Sequence, residues 1–147
     1  MNRKSTLFRN AFLGVLVTLT IFSFASCAKK INFLISPTVP AARGYVEVKK
    51  DNNKNYSIKI HISNLAEVQR LQPPKQTYVI WMVTDENITK NIGQIQSSTN
   101  MMSKQLKAAF ENVSAFKPTK IFITAEDEAN TQYPGTQIIL STDQFYR

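Results

Sequence analysis

Two stretches of alternating apolar and polar residues constrain the fold of this chain more than any other feature. Residues 44–49 place Val46 and Val48 on one side and charged side chains on the other, and residues 56–63 alternate more regularly. Alternation with a period of two is typical of a strand with one buried face. The asparagine-rich residues 51–55 favour a turn, so the two stretches are predicted to form an antiparallel hairpin. In that register four side chains point into the core: Tyr56, Ile58, Ile60 and Ile62.

The rest of the domain also has the pattern of strands. Residues 77–83 are apolar at both odd and even positions, which predicts a central strand covered on both faces. Residues 31–35, in an otherwise irregular segment, are a further candidate for a sheet edge. Shorter strand patterns are found at residues 90–96, 119–124 and 136–142. Many short strands separated by turn signals favour two packed antiparallel sheets. The predicted fold class is all-β, an antiparallel β-sandwich of about seven strands.

Residues 103–113 fit two patterns. Leu106, Ala109, Phe110 and Val113 have the spacing of a helix, which a serine at its start could cap. In a strand, a different set would share one face: Leu106, Ala108, Phe110 and Asn112. The surrounding strands favour the strand interpretation.

The first 26 residues have the pattern of an export signal. Arg3, Lys4 and Arg9 give a positively charged start, and a mostly apolar run over residues 11–24 follows it. A permanent transmembrane helix needs about 20 apolar residues, and this run is shorter. Cleavage of residues 1–26 is therefore predicted, with an uncleaved anchor helix as the alternative.

Residues 24–27, Phe-Ala-Ser-Cys, resemble a bacterial lipobox, with two small residues before the single cysteine. Phe24 departs from the leucine that is commonest at its position. The resemblance implies cleavage before Cys27 and a thioether-linked diacylglycerol on its sulfur. The alternative is an incidental cysteine, but an unpaired thiol is unusual in an exported chain. Cys27 is therefore the predicted lipid-attachment site, and its acyl chains are the predicted link to membrane lipid.

Cleavage would leave residues 27–43 as a lipidated tether and residues 44–147 as one domain. It removes three of the 18 basic residues and none of the 10 acidic ones, so the net charge falls from +8 to about +5. The basic residues are scattered, and no nucleic-acid partner is predicted. Ala28 replaces the aspartate that often retains lipoproteins at an inner membrane, and Lys29 and Lys30 differ from acidic surface-export signals. The predicted location is the cell envelope, lipid-anchored at the outer membrane and facing the periplasm.

Several motif elements of the domain occur in a recognisable order. They are Tyr78, Trp81, Gly93, Thr124-Ala125-Glu126 and Pro134-Gly135. Over residues 44–142 the order resembles the C-terminal extracytoplasmic domain of anti-sigma-K factors, which implies an immunoglobulin-like β-sandwich. Members of that family carry a sigma-binding domain and a transmembrane helix before this module, whereas a 26-residue leader precedes Cys27 here. The resemblance thus implies an outer interaction or sensing module, without anti-sigma activity by this chain alone.

The sequence offers little for catalysis or metal binding. The only histidine, His61, falls on the polar side of its strand with Lys59, and no second histidine or cysteine follows Cys27. No nucleophile–base motif is present, so no enzymatic activity and no cofactor are predicted. The acidic residues 126–128 could form a calcium site or a solvated turn. Neighbouring residues of an extended chain point in opposite directions, which favours the turn, and no metal site is predicted.

Tyr78 and Trp81 have two interpretations, an aromatic binding patch or core residues, and their strongly apolar strand favours the core. The predicted function is a membrane-anchored, non-catalytic β-sandwich that binds another envelope protein, in envelope sensing or anti-sigma-type regulation. The alternative is a structural lipoprotein, or one that binds a glycan or small molecule. Exposed apolar residues clustered on one sheet would favour a protein partner, and a deep aromatic pocket would favour a ligand.

Overall fold

The computed structural model describes residues 28–95 and 107–146, and the predicted leader and Cys27 lie outside these ranges. Over the described residues the chain forms eight strands and one short 3-10 helix, Val68–Arg70. The strands are β1 (Lys29–Asn32), β2 (Arg43–Lys50), β3 (Tyr56–Ser63), β4 (Thr77–Thr84), β5 (Thr89–Ile95), β6 (Lys107–Ser114), β7 (Pro118–Glu126) and β8 (Ile138–Ser141).

The strands form two four-stranded antiparallel sheets. Sheet 1 has the order β1-β2-β3-β6, and sheet 2 has the order β5-β4-β7-β8. Strands β2 to β8 therefore occupy the positions A, B, C, C′, E, F and G of an immunoglobulin-like sandwich, and β1 extends sheet 1 at its edge. The all-β sandwich prediction is confirmed, with eight strands in place of about seven.

The predicted hairpin is β2 and β3, in which Val46 pairs with Ile60 and Val48 pairs with Ile58. Asp51 closes its turn, since one carboxylate oxygen accepts hydrogen bonds from the backbone N–H groups of Asn53 and Asn55, both at 2.8 Å. The core-facing register is also confirmed. Three of the predicted side chains are buried and the fourth packs against the core half-buried: Ile58, Ile60, Ile62 and Tyr56.

Strand β4 is central in sheet 2, between β5 and β7, as its apolar pattern predicts. Its two faces bury different sets of residues. Tyr78, Ile80 and Met82 point into the core between the sheets. Val79 and Trp81 have the opposite parity, so they lie on the outer face of sheet 2, yet both are fully buried.

Residues 107–114 form strand β6, so the strand interpretation of residues 103–113 is confirmed where the structure describes them; Leu106 lies outside those residues. Side chains of β6 close the sandwich against β5. The amide of Asn112 donates a 2.6 Å hydrogen bond to the Ile92 carbonyl. The ring of Phe110 lies so close to Gly93 that a Cβ there would be 2.6 Å from it.

Within the predicted tether 27–43, residues Lys29–Asn32 form the edge strand β1, one residue after the described chain starts. Phe33 then forms a bridge with Thr142, and the backbone N–H of Leu34 donates to the Ser141 carbonyl at 2.9 Å. The segment therefore runs from the edge of sheet 1 to the edge of sheet 2. It is bound to the sandwich from Lys29 onward.

Candidate interaction surface on sheet 1

The outer face of sheet 2 is covered by the chain itself. The side-chain amide of Asn91 on β5 donates to the carbonyls of Ala129 and Thr131, at 2.9 and 3.1 Å, and holds the β7–β8 loop (residues 127–137) across the sheet. Trp81 and Thr124, which point outward from β4 and β7, are both 0% exposed as a result. The loop therefore covers this face around Trp81, and an aromatic platform at Trp81 is excluded.

Glu126 holds the other end of this loop. Its carboxylate accepts hydrogen bonds from the Thr124 hydroxyl and, at 2.7 Å, from the backbone N–H of Gly135. The residue is 8% exposed. The prediction that residue 126 belongs to a solvated turn is therefore wrong, because β7 continues to Glu126 and the loop folds back over its carboxylate.

The neighbouring acidic residues behave as the turn interpretation predicts. Asp127 is exposed and pairs with Lys75 at 2.7 Å, and Glu128 is exposed. The three carboxylates are thus separated by burial and by different partners. Among the residues that the structure describes, no three histidine, cysteine, aspartate or glutamate side chains come together to hold a metal ion.

The outer face of sheet 1, in contrast, presents its side chains to solvent. One row across this face consists of register partners on the four strands: Asn32, Tyr45, His61 and Ala109. The rings of Tyr45 and His61 lie 5.0 Å apart between centroids, with 31° between their planes. Ala109 is small and exposed, so it leaves room beside the imidazole. The result is an aromatic pair at the middle of an open sheet face.

Charged residues surround the aromatic pair. The ammonium of Lys30 lies 3.6 Å from the ring centroid of Tyr45, a cation–π contact. On one side, Lys59 and Glu111 form a 3.0 Å ion pair. On the other side, the row of Arg43 and Lys107 has two cations and no carboxylate.

Arg43 is held in place by its own loop. Its guanidinium donates to the carbonyls of Pro40 and Ala42, at 2.6 and 2.8 Å. These bonds fix the positive charge at the start of β2. A rigid cation costs less conformational entropy when a partner binds it than a free side chain does.

A groove of about 650 Å³ runs along this face, and Arg43, Tyr45, His61 and Lys107 lie along it. Every described residue that lines it belongs to sheet 1. The groove therefore has a floor and low sides but no opposing wall. Sites for small molecules enclose most of their ligand, whereas a shallow, single-walled surface is typical of contacts with macromolecules.

We call this groove, with the aromatic pair at its centre and the charges around it, the sheet-1 face. Val113 is 60% exposed on the same side of sheet 1 but outside the groove, and the other strongly exposed large apolar residues of the described ranges lie on loops or at the edge of sheet 2. The face is therefore polar around an aromatic centre. This composition is ordinary for non-obligate protein interfaces, which are no more apolar than the rest of a protein surface.

His61 is exposed on the polar side of β3, as its register predicts. Its described neighbours include a ring and a small side chain, Tyr45 and Ala109, and no hydrogen bond to an acid or a hydroxyl is found within the described residues. The sequence places His61 on the correct face but does not indicate its pairing with Tyr45. That pairing depends on the hairpin register, which the turn length sets.

Tyr78 and Trp81 are both buried, on opposite faces of β4, and the core interpretation is confirmed for both. The hydroxyl of Tyr78 donates to the Ala66 carbonyl at 2.9 Å, and burial raises the pKa of Tyr78 to about 12. Tyr78 thus ties the β3–β4 loop to the core. Neither aromatic residue is part of a binding surface.

Cys27, the predicted lipid-attachment site, lies outside the described residues. Within residues 28–95 and 107–146, no helix is long and apolar enough to cross a membrane. Comparisons of the chain with protein-family models, with curated protein sequences and with solved structures find no match.

Proposed function

We propose that this chain is a membrane-anchored, non-catalytic interaction module of the bacterial envelope, which binds an envelope protein through the sheet-1 face. The diacylglycerol on Cys27 holds the sandwich at the membrane, and the sheet-1 face contacts the partner. The lipobox-like residues 24–27 support the anchor. The order of motif elements shared with the outer domain of anti-sigma-K factors supports a role in envelope sensing.

The observation that carries the proposal is the contrast between the two outer faces. A loop covers the centre of sheet 2 and buries its tryptophan, whereas sheet 1 leaves Tyr45 and His61 on its solvent side with charged residues around them. Aromatic residues and arginine at the centre of a patch, with a polar rim, are the usual anatomy of a binding surface. Because the row of Arg43 and Lys107 is cationic, the complementary partner surface carries carboxylates.

A second candidate is the binding of a glycan or small molecule in the same groove. Its volume of about 650 Å³ lies in the range of ligand sites, and the Tyr45 ring offers a stacking surface. The groove is lined by one sheet only, which argues against this candidate because a small ligand there would keep much of its surface in water. A protein partner supplies the missing wall itself.

Site-directed crosslinking in living cells tests the proposal. A photoreactive amino acid replaces Ala109, which lies in the groove, and in a control replaces Gln132, which is exposed on the loop that covers sheet 2. We expect a protein adduct from position 109 and none from position 132. The adduct is also expected to disappear when Tyr45→Ser or His61→Ser is added.

Mass spectrometry of the purified chain tests the anchor separately, since diacylglycerol adds a defined mass at Cys27. Cys27→Ser should release the chain from the membrane fraction and remove the adduct. Equal adducts from positions 109 and 132, or none from either, would refute the sheet-1 face as the binding surface. An adduct at position 109 with a glycan or small molecule alone would favour the second candidate.

A further inference from the structure

The strand order fixes which end of the sandwich lies next to the predicted lipid anchor. β1 begins at Lys29, which pairs with Val48 near the end of β2. Only Ala28 separates Lys29 from Cys27, and an extended chain spans at most about 3.6 Å per residue, so this two-residue step covers at most ~7 Å. A lipid on Cys27 therefore leaves the sandwich no free tether, and this end lies at the bilayer surface.

Three turns and the C-terminal segment lie at the same end, which we call the anchor end. Lys50 pairs with Tyr56 across the β2–β3 turn, and Tyr56 in turn pairs with Ser114 at the end of β6. The β4–β5 turn joins them, because the backbone N–H of Asp85 donates to the Lys117 carbonyl at 3.1 Å. The C-terminal residues follow at Phe145, whose N–H donates to the Thr119 carbonyl at 2.8 Å.

Lysines at the anchor end lie over aromatic rings. The ammonium groups of Lys29 and Lys117 lie 4.2 and 5.9 Å from the ring centroid of Tyr146. Lys50 lies 5.7 Å from the ring centroid of Tyr56. Both tyrosines pack half-buried against the core. Lysine and tyrosine side chains with an apolar body and a polar tip are favoured where protein meets a lipid headgroup layer.

Two large apolar residues project at this end. Phe116 in the β6–β7 turn is 44% exposed, and Ile88 after the β4–β5 turn is 45% exposed. The ammonium of Lys90 lies 4.2 Å from the Phe116 ring centroid. A ring with a lysine beside it can enter the headgroup layer while the ammonium binds a phosphate.

The anchor end also carries carboxylates, namely Asp51, Asp85, Glu86 and Asp143. Asp51 is engaged by the backbone N–H groups of its own turn. The mixed charge means that long-range attraction to an anionic surface is weak. The relevant attraction is short-range, between phosphates and the lysines over Tyr56 and Tyr146, and it needs the anchor to hold the two surfaces together.

We propose that the anchor end docks on an anionic phospholipid surface, with Phe116 in the headgroup layer and Lys29, Lys50 and Lys117 against phosphates. This inference rests on the lipid anchor of the proposed function. Docking would hold the sandwich upright, since β2 ends at Lys50 at this end and its earlier residues lie progressively farther from the bilayer. Tyr45 lies five residues from Lys50, or about 17 Å further from the bilayer at 3.3 Å per residue. The sheet-1 face is thereby kept clear of lipid and open to a partner.

The test uses the full lipidated chain, reconstituted into vesicles of phosphatidylcholine with or without phosphatidylglycerol. A spin label is attached to Phe116→Cys and, as a control, to Gln69→Cys in the loop at the opposite end. Acylated Cys27 has no free thiol to react with the label. We expect vesicles with phosphatidylglycerol to cause a several-fold loss of collisions with a water-soluble nickel complex at position 116, and no loss at position 69.

Charge variants distinguish lysine contacts from apolar insertion alone. The triple variant Lys29→Gln, Lys50→Gln and Lys117→Gln should restore collisions at position 116. A matched variant with the same charge loss elsewhere should not restore them: Lys59→Gln, Lys75→Gln and Lys107→Gln.

Equal collisions at positions 116 and 69 in a chain whose mass shows the diacylglycerol would overturn the docking and leave the anchor intact. A chain without diacylglycerol would instead refute the anchor. Protection that is identical in both vesicle types would overturn the role of anionic lipid.

Discussion

The indole nitrogen of Trp81 donates a 2.8 Å hydrogen bond to the hydroxyl of Thr124. The same hydroxyl donates to Glu126, whose carboxylate also accepts the backbone N–H of Gly135. This chain of bonds runs from the centre of sheet 2 to the β7–β8 loop that covers it. The loop therefore stays closed because the polar atoms beneath it need one another as partners.

Thr124→Val tests this chain of hydrogen bonds with almost no change of shape. It leaves the buried indole N–H without an acceptor and removes a donor from Glu126, which costs about 1–3 kcal/mol in free energy of unfolding. The measurement is urea unfolding followed by fluorescence, since Trp81 is the only tryptophan. Thr124→Ser keeps the hydroxyl and loses one buried methyl, at about 0.8 kcal/mol. A valine variant no less stable than the serine variant would show that the hydroxyl contributes nothing.

The sequence predicts the architecture well where one physical rule decides. Alternation determines the faces of β2 and β3, and apolar residues on both parities identify β4 as central. The spacing of Tyr78 and Trp81 is odd, so a strand must place them on opposite faces, and both are buried. The burial of Trp81 depends on the β7–β8 loop, and no periodicity in the sequence indicates that this loop covers the sheet.

The sequence fails where distant segments decide the environment. A carboxylate at the end of a strand predicts a solvated turn, and Glu126 is buried only because Gly135 returns to it nine residues later. The same limit applies to the candidate site. Each strand of sheet 1 shows its polar side in the sequence, but the pairing of Tyr45 with His61 depends on register and the groove on four strands together.

Gly93→Ala is expected to destabilise the contact between β5 and β6. Gly93 has φ +145°, a conformation that other residues rarely adopt, and an added Cβ would lie 2.6 Å from the Phe110 ring. The clash costs about 1–3 kcal/mol in free energy of unfolding, and the backbone conformation adds a similar amount. Urea unfolding measures the sum.

The Phe110→Leu background separates the two causes of the Gly93→Ala effect. Leucine removes the ring edge near Gly93 and leaves the backbone conformation as it is. The cost of Gly93→Ala should therefore be smaller in this background, by the part that the ring contributes. An unchanged cost would attribute the whole effect to the backbone.

Tyr78 predicts a loss of stability at alkaline pH. Burial raises its pKa from 10.0 to about 12 in the folded state, so the neutral form is favoured on folding. The stabilisation from the neutral Tyr78 hydroxyl is complete below pH 10, the ordinary pKa of tyrosine. It is lost as the pH rises from 10 towards 12, because Tyr78 ionises in the unfolded chain before it does so in the folded one. Tyr78→Phe should flatten this part of the stability curve.

At neutral pH Tyr78→Phe removes only the hydrogen bond to Ala66, at a cost of about 0.5–1.5 kcal/mol. The burial of Tyr146 and the nearby Tyr56 also raise the pKa of Tyr146, but that residue is present in both chains and cancels in the comparison. Urea unfolding at a series of pH values between 7 and 11.5 gives both curves. Parallel curves above pH 10 would contradict the assignment to Tyr78.

Variants of the sheet-1 face should separate binding from folding. Tyr45 and His61 contact each other on the solvent side of their strands, outside the core. Tyr45→Ser and His61→Ser should therefore change the free energy of unfolding by about 0.5 kcal/mol or less. If the pair forms the centre of an interface, each change should instead weaken partner binding by about 1–2 kcal/mol, roughly 5- to 30-fold in Kd. Urea unfolding measures the first effect, and titration of the captured partner measures the second.

Lys49→Ser, an exposed change on the same strand but outside the groove, is the matched control and should leave Kd unchanged. Normal binding by both ring variants would exclude the aromatic pair from the interface, whereas a large loss of stability would show that the pair supports the fold.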